Sequence, residues 1–249
     1  MNNQTILIPT VEKYANVGSN QPFLARIWGG LSEIVSNLDL TDKEKELLNN
    51  LIGDMVTDLI QASQSLEEIK NIESGKKEKV ISELEKQYKD LYDYCWRAYK
   101  DKMQKIVLFL GFNLSFLFKN EKEFIKNIKK FKLENPAVNK DFDLMLINDR
   151  KTWQNKLATF RNDFIQHKKL DYKEQNKFFN IQAAETIFSN CWQAMEDILV
   201  NIFILKLNKN FRIVEIPSEK RDEAYPKRFK VTFNQEIEKN FQEFINQKK

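Results

Sequence analysis

The sequence predicts a mainly α-helical protein: an antiparallel helical bundle, preceded by a helical extension and followed by a small strand-containing segment. Three observations carry that expectation. Glycine and proline are scarce, six and five in 249 residues, which disfavours a turn-rich all-β fold. Apolar residues recur three and four apart over long stretches, the spacing of one helix face. Only after Asn210 does the period shorten to two, with β-branched residues in it.

Taken in order, residues 1–18 open with QTILIPT, which reads as a short edge strand ended by Pro9. Pro22 suits the first turn of a helix running through Phe23, Ile27, Leu31, Ile34 and Val35. Gly29 and Gly30 weaken its middle and leave room for another helix to approach. TDKE, Thr41 to Glu44, is a capping box. It opens a helix with one stripe of Leu47, Leu48, Leu51, Ile52, Met55, Val56, Leu59 and Ile60, ending before Ser74 and Gly75.

From Lys76 a long helical pattern runs through Leu84, Tyr88, Leu91, Tyr92, Cys95, Tyr99, Met103, Ile106, Val107 and Leu110. The apolar run Ile106 to Phe118 is too short to span a bilayer and contains Asn113 and Ser115. It reads as the buried middle of a core helix, with the stretch around Gly111 to Phe116 the most buried of all. A second helix carries Phe124, Ile125, Ile128 and Phe131 among lysines, and ENPAVN, Glu134 to Asn139, is a loop. A third runs from about Asp141 to about Lys168 through Leu144, Leu146, Ile147, Trp153, Leu157, Phe160 and Phe164; a fourth spans about Asn180 to Leu207. FRIVEIP and KRFKVTF then read as a hairpin or small sheet, and the tail from Asn234 returns to helical spacing. The chain so divides into an N-terminal helical extension over 1–75, a bundle over 76–209, and a C-terminal strand and helix extension over 210–249 packed on the bundle.

Charge narrows the function classes less than the fold. The net charge of +4 comes from 33 Lys and 7 Arg against 36 acids. That balance permits nucleic-acid binding without demanding it; a solvated Lys/Glu surface is the simpler explanation. Cys95 and Cys191 lie in apolar helical runs and read as buried free thiols, with no Cys/His spacing for zinc. No basic region followed by an apolar core opens the chain, so no signal peptide is expected and the protein is placed in the cytoplasm.

Chemistry concentrates in FRNDFIQHKK, Phe160 to Lys169, which holds the only histidine, His167. On a wheel of about 100° per residue with Trp153 at zero, Leu157, Phe160 and Phe164 fall within roughly 40° of it as the buried stripe. Arg161 then lies at about +80°, His167 at about −40° and Asn162 at about 180°, with Arg161 and His167 about 9 Å apart along the axis. One copy therefore cannot grip one atom with both groups, whereas a two-fold axis brings two Arg and two His around a shared cleft. Asp163, four residues before His167, could orient its ring or be an ordinary surface pair. Lys168, Lys169 and Lys173 could hold flanking RNA phosphates or simply keep the surface soluble. Phe229 and Phe233, beside Lys227, Arg228 and Lys230, are the aromatic residues best placed to stack on bases; the other Phe fall at core spacing.

The segment RNDFIQH resembles the signature of the HEPN superfamily (higher eukaryotes and prokaryotes nucleotide-binding): an Arg, a polar residue, four to six residues, then a His, on a helix of an all-α bundle. Arg161, Asn162 and His167 match its three positions, and the order of elements from about 76 to 208 follows. RAYKDKMQKIVLFL on the long helix is similar to the corresponding helix of some larger bacterial HEPN-like families. The resemblance implies an HEPN-like antiparallel bundle and a metal-independent, cofactor-free endoribonuclease. It implies a homodimer with a composite site, and RNA (tRNA among the candidates) as target. A toxin-like or anti-phage defence role, with a regulatory or antitoxin protein as partner and no membrane, goes with it. Arg161, Asn162 and His167 would be its catalytic residues. The competing expectation is structural: a hydrogen-bonded interior His and an Arg paired with an acid, in a non-catalytic dimerisation or partner-binding module of a two-component system.

Overall fold

The computed structural model describes residues 21–78, 80–162 and 179–239. They are mainly helical, with one two-stranded antiparallel sheet, as the sequence predicts. The chain divides into two compact units: residues 39–206, and residues 1–38 with 207–249. Among the described residues no helix is long and apolar enough to cross a membrane.

In the larger unit, helix α2 (Asp42–Glu73) begins as its sequence dictates. Thr41 accepts from the Glu44 amide while the Glu44 carboxylate accepts from the Thr41 amide, so two first-turn donors are satisfied at once. Its stripe of Leu48, Ile52, Met55, Val56, Leu59, Ala62, Leu66 and Ile69 is buried, although Leu47 is exposed. The helix stops at Gly75, whose positive φ lets the Gly75 and Lys76 amides bond back to Ile72 and Asn71. The division expected from sequence puts residues up to 75 in an extension. Instead α2 packs along the next helix and belongs to the larger unit, because its apolar stripe is covered by that helix and by the helix at 181–204.

Helix α3 spans 81–109: an α-helical Ile81–Trp96, a π-helical Arg97–Lys102 and an α-helical Met103–Phe109. It starts later than expected, at Ile81, which is exposed together with Val80. It also ends earlier. Gly111, at φ 86°, bonds to Leu108 while Phe112 bonds to Val107, the same closure that ends α2. The run Ile106 to Phe118 is therefore no continuous core helix: Leu108 is 55% exposed, Gly111 is exposed, and Ser115–Phe118 form a separate 3-10 turn. Leu114, Phe116 and Leu117 are buried, so the expectation of burial holds for them alone among residues 111–117.

Helix α4 (Glu121–Glu134) buries Phe124, Ile128 and Phe131. The ENPAVN loop follows, with Val138 tucked in and the Asn139 amide donating to Asn201. Helix α5 covers 142–162 of the described residues: Phe142–Asp149, the π-helical Arg150–Gln154, Asn155–Thr159, and a second π-helical stretch at 160–162. Helix α6 (Ile181–Ile204), capped by Asn180, is the most apolar and lies against α2, α3 and α5. Cys95 and Cys191 are buried free thiols, the Cys191 Sγ–H donating to the Cys95 carbonyl at 3.5 Å. The expected continuation of α5 to about Lys168 lies outside the described residues, as does the QTILIPT strand.

In the smaller unit, helix α1 joins the π-helical Leu24–Gly30 to the α-helical Leu31–Ser36. Strands β1 (Phe211–Glu215) and β2 (Phe229–Phe233) pair with Phe211 opposite Phe233. Glu33 of α1 accepts from the Lys227 ammonium and the Val231 amide, tying the outer edge of β2 to the helix. Gly29 does admit a close neighbour, but it is a side chain and not a helix. A Cβ there would sit 1.4 Å from the Tyr225 hydroxyl.

Candidate functional site

Helix α5 is held before it reaches the Arg–His segment. Arg150 is buried and donates to the Leu117 carbonyl at 3.1 Å, the Lys119 carbonyl at 2.6 Å and the Glu121 carboxylate at 3.0 Å. Gln154, also buried, adds a second donor to the Leu117 carbonyl at 2.6 Å. The guanidinium of Arg150 also lies 4.6 Å from the centre of the Phe124 ring. The loop at 117–119 thus has its carbonyls satisfied by α5, and α5 cannot slide without stranding them. Neither Arg150 nor Gln154 stands out in the sequence. The available signal is a long polar side chain three positions before Trp153 and another directly after it, next to a stripe otherwise apolar.

The stripe itself falls where the wheel puts it. Trp153, Leu157 and Phe160 are buried. Trp153 meets Tyr99 edge-on at 4.9 Å, and Phe160 meets Tyr92 edge-on at 4.5 Å. Two aromatic pairs in opposite chain order lock α5 antiparallel to α3. One turn before that lock, Asp149 is pushed up to about 6 by burial, against the pull of the Trp153 indole and with the Asp197 charge adding to the rise.

Beyond the lock stand the motif residues. The Arg161 guanidinium lies over the indole of Trp96, 5.5 Å from the ring centre, and is half-buried. Such a cation–π contact limits the orientations of the fork. Asn162 is exposed, on the side away from the core as the wheel requires. Asp163, His167, Lys168, Lys169 and Lys173 lie outside the described residues. The wheel needs one revision. It assumes uniform α-helical winding, and residues 160–162 are π-helical, so each advances the chain by less than an α residue.

The aromatic pair marked for base stacking is occupied in its own unit. Phe233 stacks on Phe211 at 5.4 Å with 52% of its surface exposed, and Arg228 lies 4.9 Å from the Phe229 ring centre. Arg228 also pairs with Glu215 at 2.7 Å, as does Arg221 at 3.4 Å, so one carboxylate is shared by two guanidinium groups.

Comparison of the chain with protein-family models, with curated proteins and with solved structures returns no match.

Proposed function

We propose that the chain is a metal-independent endoribonuclease acting as a homodimer, each copy supplying Arg161, Asn162 and His167 to a composite site. The observation that carries this reading is the presentation of Arg161. The residue sits on a helix braced by Arg150 and Gln154, is oriented over Trp96, and has solvent-facing Asn162 beside it.

Imidazole is the side chain whose ordinary pKa suits proton transfer in both directions near neutrality. One His167 takes the proton of a ribose 2′-hydroxyl as its oxygen attacks the adjacent phosphorus. The bond from phosphorus to the 5′-oxygen breaks, and the partner's His167 gives that oxygen a proton. The products are a 2′,3′-cyclic phosphate and a free 5′-hydroxyl. Arg161 offers two parallel N–H donors to the phosphate as charge builds on it. Toxin-like growth arrest or anti-phage defence, with tRNA among the targets and a regulatory or antitoxin partner, fits such an activity.

The test is incubation of the purified protein with total RNA in EDTA, with cleavage ends mapped. Cutting is expected to fall at least about 100-fold in His167→Ala and in Arg161→Ala, the scale of one lost acid–base or phosphate-binding group. Circular dichroism and sedimentation should match wild type in both. Intact RNA with the wild type, or cutting untouched by both substitutions, returns the chain to the non-catalytic dimerisation or partner-binding reading.

A further inference from the structure

Helix α4 leaves one stripe of its outer surface without ion pairs. Lys122, Lys126, Lys129 and Leu133 are spaced four, three and four residues apart, so they fall within about 40° of one another on the helix. All four are exposed, and Leu133, at 84%, is the most exposed large apolar side chain among the described residues. None of the three lysines has an ion pair among the described residues, whereas Lys130 is taken by Glu134 at 3.7 Å and Lys132 by Asp143. The stripe runs into an open cavity of about 590 Å³ between the end of α4, the loop after it and the first turn of α5. Leu133, Pro136 and Val138 form its apolar wall, with Lys129 and Lys140 beside them. Lys140 is exposed and likewise has no ion pair among the described residues.

The cavity is built before anything enters it. The Lys132 ammonium donates to the Lys140 carbonyl and to Asp143, tying the end of α4 to the start of α5. The Asn135 side chain donates to the Phe131 carbonyl at 2.8 Å and the Asn139 amide to Asn201 at 2.8 Å, so the loop is held at both ends. Asp143, the carboxylate that lines the cavity, is thereby committed to Lys132 and leaves Lys129 and Lys140 to an incoming acid. A cavity fixed in this way needs little reorganisation to accept a ligand.

We propose that this cavity and the lysine stripe leading into it form a docking surface for an acidic protein segment that carries an aliphatic side chain. Charge complementarity names the occupant. The aliphatic anchor fills the space against Leu133, Pro136 and Val138, acids beside it reach Lys129 and Lys140, and further acids follow Lys126 and Lys122 along α4. Lysines also attract phosphates, but the apolar wall of this cavity offers no ring on which a base could stack. A bilayer takes up the apolar face of an amphipathic helix, and that face of α4, Phe124, Ile128 and Phe131, is already buried in the core. The surface uses none of Arg161, Asn162 and His167, so it stands apart from the ribonuclease reading.

The experiment titrates the full chain into a short fluorescein-labelled peptide of glutamates with leucines at helical spacing, followed by anisotropy at low and high salt. The wild type should bind it saturably at low salt. Leu133→Ser should weaken binding about tenfold, the scale of one aliphatic side chain losing its cover. Lys129→Gln combined with Lys140→Gln should weaken it about fivefold, the scale of two exposed ion pairs. The lysine effect should vanish at high salt while the leucine effect persists. Lys43→Gln, an exposed lysine at the start of α2, should leave binding unchanged. Leu133, Lys129 and Lys140 are all exposed, so melting profiles should match the wild type. No peptide binding by the wild type, or binding untouched by either the Leu133 or the paired lysine substitution, overturns the proposal. Oligouridine or phosphatidylserine vesicles binding in place of the peptide, with the same loss in the lysine variant, also overturns it and gives the stripe to nucleic acid or to a membrane. RNA cutting enters none of these readouts, so failure of the docking surface and failure of the nuclease reading are separable.

Discussion

Helices α2 and α5 both line the core of the larger unit, yet they are built to opposite rules. Helix α2 runs 32 residues in one unbroken α-helical winding. Helix α5 departs from that winding twice within 142–162, at Arg150–Gln154 and at 160–162. In a uniform helix every side chain keeps its phase, so one stripe meets one neighbour along the full length. A π turn widens the winding and rotates all that follows. Helix α5 thereby points Arg150 and Gln154 at the 117–119 carbonyls, keeps Trp153 and Phe160 on the tyrosines of α3, and brings Arg161 over Trp96. The regular helix supplies stability; the irregular one supplies placement.

That contrast can be broken by substitution. The largest stability effect belongs to α2. Leu59 is fully buried, and Leu59→Ala should cost about 3 kcal/mol in urea unfolding. RNA cutting per folded molecule should stay unchanged. A loss of cutting without loss of stability would erase the distinction between the two helices.

The next effect belongs to α5 and depends on pH. Asp149 is pushed up to about 6 in the folded protein, above an ordinary carboxyl at 3.8. Between those values the folded state holds more protons than the unfolded one, so stability falls as pH rises from about 4 to about 6. The cost is fully present above that window and relieved below it. Asp149→Asn should therefore raise stability at pH 8 by about 2 kcal/mol and flatten the pH profile between about 4 and about 6. A variant that keeps the wild-type profile would show that Asp149 is solvated and that α5 carries no such strain.

The smallest effect returns to α2. Thr41→Ala removes the side-chain acceptor of its cap and should cost about 1 kcal/mol, read as a shift in the urea midpoint. If the loss reaches that of Leu59→Ala, the start of α2 matters more than its stripe.

Legibility in the sequence follows the same division. The cap and stop of α2, the ENPAVN loop, the hairpin and the Trp153, Leu157 and Phe160 stripe were readable, because each is encoded within a few neighbouring residues. The early end of α3 was not: Ile106 to Phe118 is apolar enough to continue a core helix, and only the Gly111 closure, followed by the separate turn at Ser115–Phe118, ends it and leaves Leu108 exposed. Of the candidate site, Arg161 and Asn162 were singled out by their spacing to His167. Arg150 and Gln154, which brace its helix, were not, since their roles depend on partners about thirty residues away or more.

The sequence alone determined that this chain is helical, where α2 and the hairpin lie, and that its candidate chemistry gathers around Arg161 and His167. Capping, period and turn chemistry act between near neighbours, so a linear stretch of residues contains them. The tertiary structure alone decided the division at residues 38/39 and 206/207, the π winding of α3 and α5, and the meeting of Arg161 with Trp96. Those features arise where one helix must satisfy the loose carbonyls and cover the rings of another. No local pattern specifies which distant residue will be there to meet.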